Sequence, residues 1–334
     1  MSLTDFQTNI FNQEYIELFE KADIKTVESI LLQSPLRLQQ KTSLSLEIIQ
    51  KIQRDLQKYH CAVPSVATDL YNKAVSLKEY RYLKTNCCID DILGGEGLPT
   101  GELTELIGTS PSGKTQFALF IAMQVSRFYQ ENVIYIDTSS SFSADRIAEM
   151  YKQQIGETTT IDSNQSILAI LDRIRRYNCL DPIKLVDTLE AISNSFEFDN
   201  YLKNVKLIII DSIGTLLYTS FGGKLTHGHY VMMKIARLLK SLAHKNQIAV
   251  LITNNTVKMD SDVLDHLKNV QSTPENRLQK ASLGESWAAV SNHHLYLYGD
   301  FYDDETIERS IALRSSTRYQ RIEKPFSINS FGIQ

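Results

Sequence analysis

The residues richest in chemistry are Gly108-Thr109-Ser110-Pro111-Ser112-Gly113-Lys114-Thr115. They fit G-x-x-x-x-G-K-[ST] at every fixed position, the pattern of a loop that cradles nucleotide phosphates. Each part has a physical task. Successive backbone N–H groups of the curled loop turn toward phosphate oxygens. The glycines adopt dihedrals that a Cβ forbids. The following helix adds the positive end of its dipole. Lys114 reaches the β- and γ-phosphates, and the Thr115 hydroxyl ligates Mg²⁺. A chance match in a turn is the plainer alternative. Against it, an apolar strand precedes the loop ("LTELIG") and an apolar helix follows it ("QFALFIAMQ"). A second group reinforces the first. "VKLIIIDS" runs through four apolar residues, Leu207 to Ile210, and ends in Asp211. A carboxylate at the C-terminal edge of a buried strand is where an NTPase holds its Mg²⁺ shell. Apolar strands often end in Asp, so this signal takes its weight from the loop.

Elements must position these groups. From about residue 85, short apolar strands alternate with longer helical stretches. The strands are "ELTELIG", "NVIYIDT", "VKLIIID", "QIAVLITN" and "HHLYLYG"; the helices include "QFALFIAMQVSRFYQ" and "HYVMMKIARLLKSLAH". That alternation predicts an α/β domain over 85–334 with a mostly parallel central sheet. On the later helix Val231, Ile235, Leu238 and Leu242 form an apolar stripe, with Lys234, Arg237 and Lys240 on a solvated face. Residues 1–58 read as a small helical domain, with Ile16, Phe19, Ile24, Val27, Ile30 and Leu31 at mostly helical spacings and Pro35 closing that unit. "SLSLEIIQKIQRDLQKY" adds an amphipathic helix with a serine near its start. Residues 59–84, with Pro64, read as a linker holding one short helix. No internal repeat or low-complexity segment occurs.

Composition sets outer bounds. The chain has 334 residues, 43% of them apolar, and a net charge of −4. Nucleic-acid contact must therefore come from local patches. No apolar run of about eighteen residues is present, so no membrane span is expected. The first ten residues lack a basic n-region and an apolar h-region, so no secretory leader is expected. Cys61, Cys87, Cys88 and Cys179 show no C-x-x-C spacing and read as reduced packing thiols of an intracellular protein.

Several segments resemble one family. "GLPTGELTELIGTSPSGKTQ", with Gln116 directly after the loop, is similar to the RecA-type recombinases of eukaryotes and archaea. So are "NVIYIDTSSSFSADRI", "LIIIDSIGTLLY" and "IAVLITNN", in that order and spacing. The N-terminal helices resemble that family's helix-hairpin-helix-containing domain. "LGESWAAVSNHHLYLY", "ALRSSTRYQ" and "MMKIARLLKSLAHKNQIAVLITN" look most like its D-type paralogue branch. The resemblance implies a RecA-like P-loop core that binds ATP and Mg²⁺ and acts on single-stranded DNA in homologous recombination and double-strand break repair in the nucleus. It implies ATP binding by Gly108 through Thr115, Gln116 and Arg146, the last stacked on adenine by a cation–π contact. An ordinary surface arginine is the competing reading of Arg146. Thr115 and Asp211 would ligate Mg²⁺.

The chain departs from that family in three places. Active recombinases follow "YIDT" with a glutamate that orients the attacking water; here Ser139 stands there, and a serine hydroxyl takes no proton from water at neutral pH. General-base help is worth roughly 10²–10⁴ in rate, so tight nucleotide binding with at most weak, DNA-dependent hydrolysis is expected. Asp137 would share a face with Ser139 on an alternating strand and is a poor rescue. Asn255 replaces the glutamine that senses the γ-phosphate. Pro64-Ser65-Val66-Ala67 replaces the Phe-x-x-Ala plug that builds a homopolymer, with Tyr71-x-x-Ala74 as a shifted candidate. Two loops remain for DNA. Residues 218–230 offer Lys224, His227, His229 and aromatic rings for backbone tracking and stacking; residues 256–287 offer Lys258, Lys268, Arg277 and Lys280, balanced by nearby acids. A metal pair at His227 and His229 lacks Cys or carboxylate company. Together these imply an accessory subunit in a heteromeric complex of recombinase paralogues that assists the main recombinase. An autonomous DNA-dependent ATPase working as a strand-exchange filament is the alternative, and a P-loop protein of another kind is a third.

Overall fold

The computed structural model describes residues 3, 11–60, 64–76, 81–156, 161–218, 225–258, 279–303 and 306–334. Two compact units divide at Ser76 and Leu77.

The first unit is helical: α1 (Gln13–Lys21), α2 (Val27–Leu32), α3 (Pro35–Thr42), α4 (Leu46–His60) and α5 (Ala67–Ser76). Asn12, Thr26 and Ser34 each cap a helix by accepting a backbone N–H, so three orphan donors are satisfied locally. Ile16, Phe19, Ile24, Val27 and Ile30 are buried together with Leu38, Ile49, Ile52 and Leu56, while Leu31 packs at the margin of that cluster. Pro35 does not close the unit. It is the first residue of α3, where its missing N–H costs nothing and its fixed φ suits the helix. Helix α4 continues to His60, and the short helix expected near Tyr71 is α5.

The second unit begins with the β1 (Tyr82–Leu83) and β2 (Leu98–Pro99) pair around α6 (Cys88–Ile92). Then come β3 (Leu103–Gly108), α7 (Lys114–Phe128), β4 (Asn132–Asp137), α8 (Ala144–Ile155), α9 (Ile161–Asp172), β5 (Ile174–Asn178), α10 (Pro182–Ser195), α11 (Asn200–Lys203), β6 (Val205–Asp211) and α12 (Ile213–Tyr218). After these run α13 (Leu225–Asn246), β7 (Ala249–Lys258), β8 (Gln279–Ala281), α14 (Gly284–Ala288), β9 (His293–Asp303), β10 (Thr306–Ser316), β11 (Glu323–Phe326), β12 (Ile328–Asn329) and β13 (Gly332–Ile333). The main sheet runs β11-β10-β9-β3-β7-β6-β4-β5, with β8 beside β7. From β5 to β9 every pairing on that path is parallel; β10 and β11 are antiparallel additions.

Alternation splits the strand side chains between two cores. Val133, Tyr135, Leu207, Ile209, Ala249 and Leu251 face α7 and its neighbours. Ile134, Ile136, Ile208, Ile210, Val250 and Ile252 face α10 and α13. The buried stripe of α13 is Met232, Ile235, Ala236, Leu239, Leu242 and Ala243. Val231 and Leu238, expected on it, are only partly buried. Helical side chains lean toward the N-terminus, and alanines widen the stripe on the side where large residues alone were counted. Lys234 pairs with Glu190 at 2.8 Å in a partly exposed position, and Arg237 and Lys240 are exposed.

The register then sets the site. Gly108 lies opposite Asn255 of β7 and Leu297 of β9, and Asp137 lies opposite Asp211. The C-terminal ends of β3, β7, β6 and β4 thus bring these groups to one edge, where open parallel sheets bind ligands.

Candidate nucleotide site

The loop after β3 is fixed by contacts no larger residue tolerates. Gly113 caps α7 in the left-handed region at φ +101°, and a Cβ there would run into Ile328 Cδ1. A Cβ on Gly108 would strike Ser112 Oγ. No side chain caps α7, so its first-turn N–H groups have no intrahelical acceptor and face the loop's hollow. Ser112 Oγ is buried without a hydrogen-bond partner among the described residues. Lys114 is 8% exposed, and its ammonium donates to the carbonyls of Gly108 (2.8 Å) and Thr109 (2.9 Å). Burial pulls its pKa down to about 8, against the opposing pull of the Asp211 carboxylate. A desolvated ammonium, unpaired amides and an orphan hydroxyl around one hollow form a polyanion cradle. The adjoining cavity, about 360 Å³, is lined by residues 110–116 with Arg309 and Ile328.

Ile328 is the residue that the β12–β13 hairpin contributes to this cavity. Arg146 is held by three acceptors: Gln116 Oε1 from Nε (2.9 Å), Glu149 from one terminal nitrogen (2.7 Å) and the Asn329 carbonyl from the other (2.5 Å). Its side chain is 19% exposed, its donors are engaged within the protein, and Arg146 is not among the residues that line the cavity.

Asp211 is 2% exposed, and hydroxyls surround it. Thr253 donates to Oδ1 (2.6 Å); Tyr135 (2.8 Å) and Ser141 (3.3 Å) donate to Oδ2. Burial and the neighbouring carboxylate push the Tyr135 phenol well above its ordinary pKa, so it stays a donor. The peptide bond Asp211–Ser212 is cis, and Thr138 brackets it, donating to the Ser212 carbonyl and accepting its amide, both at 2.7 Å. Among the described residues no cluster of three His, Cys, Asp or Glu side chains could hold a metal. One carboxylate and one hydroxyl, both hard oxygen donors, suit Mg²⁺ held largely through phosphates and water. Asp211 and Thr115 therefore fit that ion.

The loop after β4 differs from expectation. The strand ends at Asp137, and Ser140 is left-handed (φ +57°), so residues 137 and 139 do not share a strand face. The Asp137 side chain is fully buried. It accepts the amides of Ser139 (3.2 Å), Ser141 (3.1 Å) and Phe142 (3.2 Å), and Arg176 donates to it twice (3.0 and 2.7 Å). Burial alone would raise its pKa; the Arg176 hydrogen bond and these amides outweigh that and lower it. A carboxylate so engaged is no base for water. Ser139 is exposed, its hydroxyl 2.9 Å from that of Ser141.

Asn255 is turned toward α12, donating to the Thr215 hydroxyl at 3.1 Å. The DNA candidates are less defined. Lys224, Lys268 and Arg277 lie outside the described residues. His227 stands in the first turn of α13, Lys258 ends β7, and Lys280 is an exposed residue of β8. Tyr71 is 68% exposed on α5.

Comparison with known proteins identifies the lineage. The family model described as Rad51 matches residues 80–333. The chain belongs to the Rad51 family. It is 36% identical to a probable DNA repair protein RAD51 homolog 4 of Dictyostelium discoideum, covering 94% of this chain and 92% of that one. It is 30% identical to DNA repair protein RAD51 homolog 4 of Bos taurus (85% and 81% covered) and 27% identical to RAD51 homolog 2 of Mus musculus (90% and 89% covered). The two homolog 4 names agree with the D-type paralogue resemblance. Rad51-family proteins are ATP-binding, generally Mg²⁺-dependent proteins of DNA repair and recombination. Among the described residues no helix is long and apolar enough to cross a membrane.

Sequence reasoning missed several residues of the site. Tyr135 is legible in hindsight, two positions before Asp137 on one strand and hence on the same face. Arg176, Arg309, Ile328 and Asn329 come from distant segments and carry no local signal.

Proposed function

We propose that this chain is an ATP-binding recombinase-paralogue subunit, acting in the nucleus within a heteromeric complex of paralogues that assists the main recombinase on single-stranded DNA. The observation that carries the reading is an intact cradle beside a disarmed water site. Lys114, the α7 amides, Thr115 and Asp211 can bind phosphates and Mg²⁺. Bound Mg²⁺ would neutralise charge between the β- and γ-phosphates. Ser139, where a base would stand, has no carboxylate, and Asp137 is committed to Arg176 and three amides. The nucleotide then serves as a structural wedge rather than fuel.

The test is Lys114→Ala in cells and in co-purification. The expected result is loss or weakening of the partner contact made across the nucleotide face, with impaired repair. Partner assembly and repair both unchanged would remove the nucleotide from function. Rapid DNA-stimulated phosphate release by the isolated wild-type chain would instead favour an autonomous strand-exchange ATPase.

A further inference from the structure

Glu105 is a fully buried carboxylate in β3, three residues before Gly108, on the sheet face opposite α7. Its Oε1 accepts the Asn254 amide (2.7 Å) and the Trp287 indole N–H (3.0 Å). Its Oε2 lies 3.3 Å from His294 Nε2. A carboxylate only accepts, so Asn254 must present its NH₂ to Glu105 and its carbonyl oxygen to the other side. That oxygen accepts the backbone N–H of Asn255 (2.8 Å) and the Ser282 hydroxyl (2.8 Å). Gly214 of α12 lies against the same three atoms, with no room for a Cβ. The Asn255 side chain then reaches Thr215, three residues after Ser212 and four after Asp211.

We propose that Glu105 is the positioning residue for Asn255, and that Trp287, clamped on the same carboxylate, changes its environment when Mg·ATP binds. One strand carries both Glu105 and the start of the phosphate loop, so an adjustment at Gly108 is felt by every donor on Glu105. Ser282 and Trp287 flank the polar network on the side of β8 and α14, which links that segment to the nucleotide edge. The inference rests on the reading that ATP binds at the phosphate loop.

Trp287 is the single tryptophan of the sequence, which makes the test direct. Mg·ATP is added to the full chain while Trp287 emission is followed, and affinity is measured separately with a fluorescent ATP analogue. Wild type and Glu105→Gln, which keeps an acceptor oxygen, should show the emission change and affinities within about twofold of each other, well below typical coupling factors. Glu105→Leu should lose the emission change and bind roughly five- to tenfold more weakly, within the range of coupling between linked sites. Wild type that binds the analogue with silent Trp287, or Glu105→Leu that behaves as wild type, overturns the proposal. So does Glu105→Gln falling as far as Glu105→Leu. If Glu105→Leu does not fold, Trp287→Phe read with the analogue decides: weaker binding supports the proposal and equal binding overturns it. Wild type that binds no analogue refutes the ATP reading instead. Trp287 emission of Glu105→Gln and Glu105→Leu without nucleotide then tests the clamp alone, with a shift expected only for Leu and its absence overturning it.

Discussion

Two stretches at the same edge of the sheet, residues 108–115 and 137–142, have disposed of their polar groups in opposite ways. The first holds its groups in reserve. Lys114 is desolvated and satisfied only by two loop carbonyls, Ser112 Oγ is an orphan, and no side chain caps the first-turn amides of α7. The second has used them internally. Asp137 takes three amides and two Arg176 donors that converge on its Oδ2, and the Ser139 and Ser141 hydroxyls bond each other. A polar group already satisfied by the protein gains little from a ligand, whereas an unsatisfied buried one gains much. On the proposed function, binding and turnover are separable, and these two stretches favour the first.

Four experiments probe the two stretches, in decreasing order of expected effect. The largest effect belongs to Lys114→Ala, which should weaken Mg·ATP binding roughly 100-fold by equilibrium titration, since charge-assisted hydrogen bonds to phosphate are removed. Next, Ser139→Glu should raise the hydrolysis rate about 100-fold, the lower end of the range for general-base help. An unchanged rate would mean that the missing carboxylate is not what limits the site.

The third concerns pH. With Lys114 at about 8 in the free chain, its ammonium is present below that pH and lost above it. The phosphates bind the protonated form, so affinity should hold below pH 8 and fall by up to about tenfold per pH unit above it. Titration calorimetry in buffers of different ionisation enthalpy should show proton uptake there. The sign for folding is opposite. A lysine whose pKa is lowered from 10.5 disfavours the folded state below about 8, and stability recovers between the two values. The smallest effect on activity is that of Asp137→Asn. It should reduce thermal stability by about 1–3 kcal/mol, because Arg176 loses its charged partner. It should alter hydrolysis no more than it alters nucleotide affinity.

Much of this edge was legible because its signals are local. The phosphate loop is a contiguous run, and Asp211 ends an apolar strand whose period fixes its face. The parallel sheet follows from alternation alone. The unread parts depend on register and on distant segments. Nothing near Asp137 in the chain announces Arg176, which arrives from the neighbouring strand. Nothing near Arg146 announces Asn329, 183 residues away. Pro35 reads equally as the end of one helix and the start of the next, because its fixed φ suits both, and the structure has it at the start. Strand periodicity puts residues 137 and 139 on one face, but the strand ends at Asp137 and Ser140 turns left-handed.

On the proposed function, Mg·ATP is held and not spent. The most direct measurement incubates the purified full chain with Mg·ATP and single-stranded DNA, then separates bound nucleotide and determines whether it is ATP or ADP. Intact ATP retained on the chain, lost in Lys114→Ala, is the predicted result. Prompt conversion to ADP with phosphate released over many turnovers would contradict it.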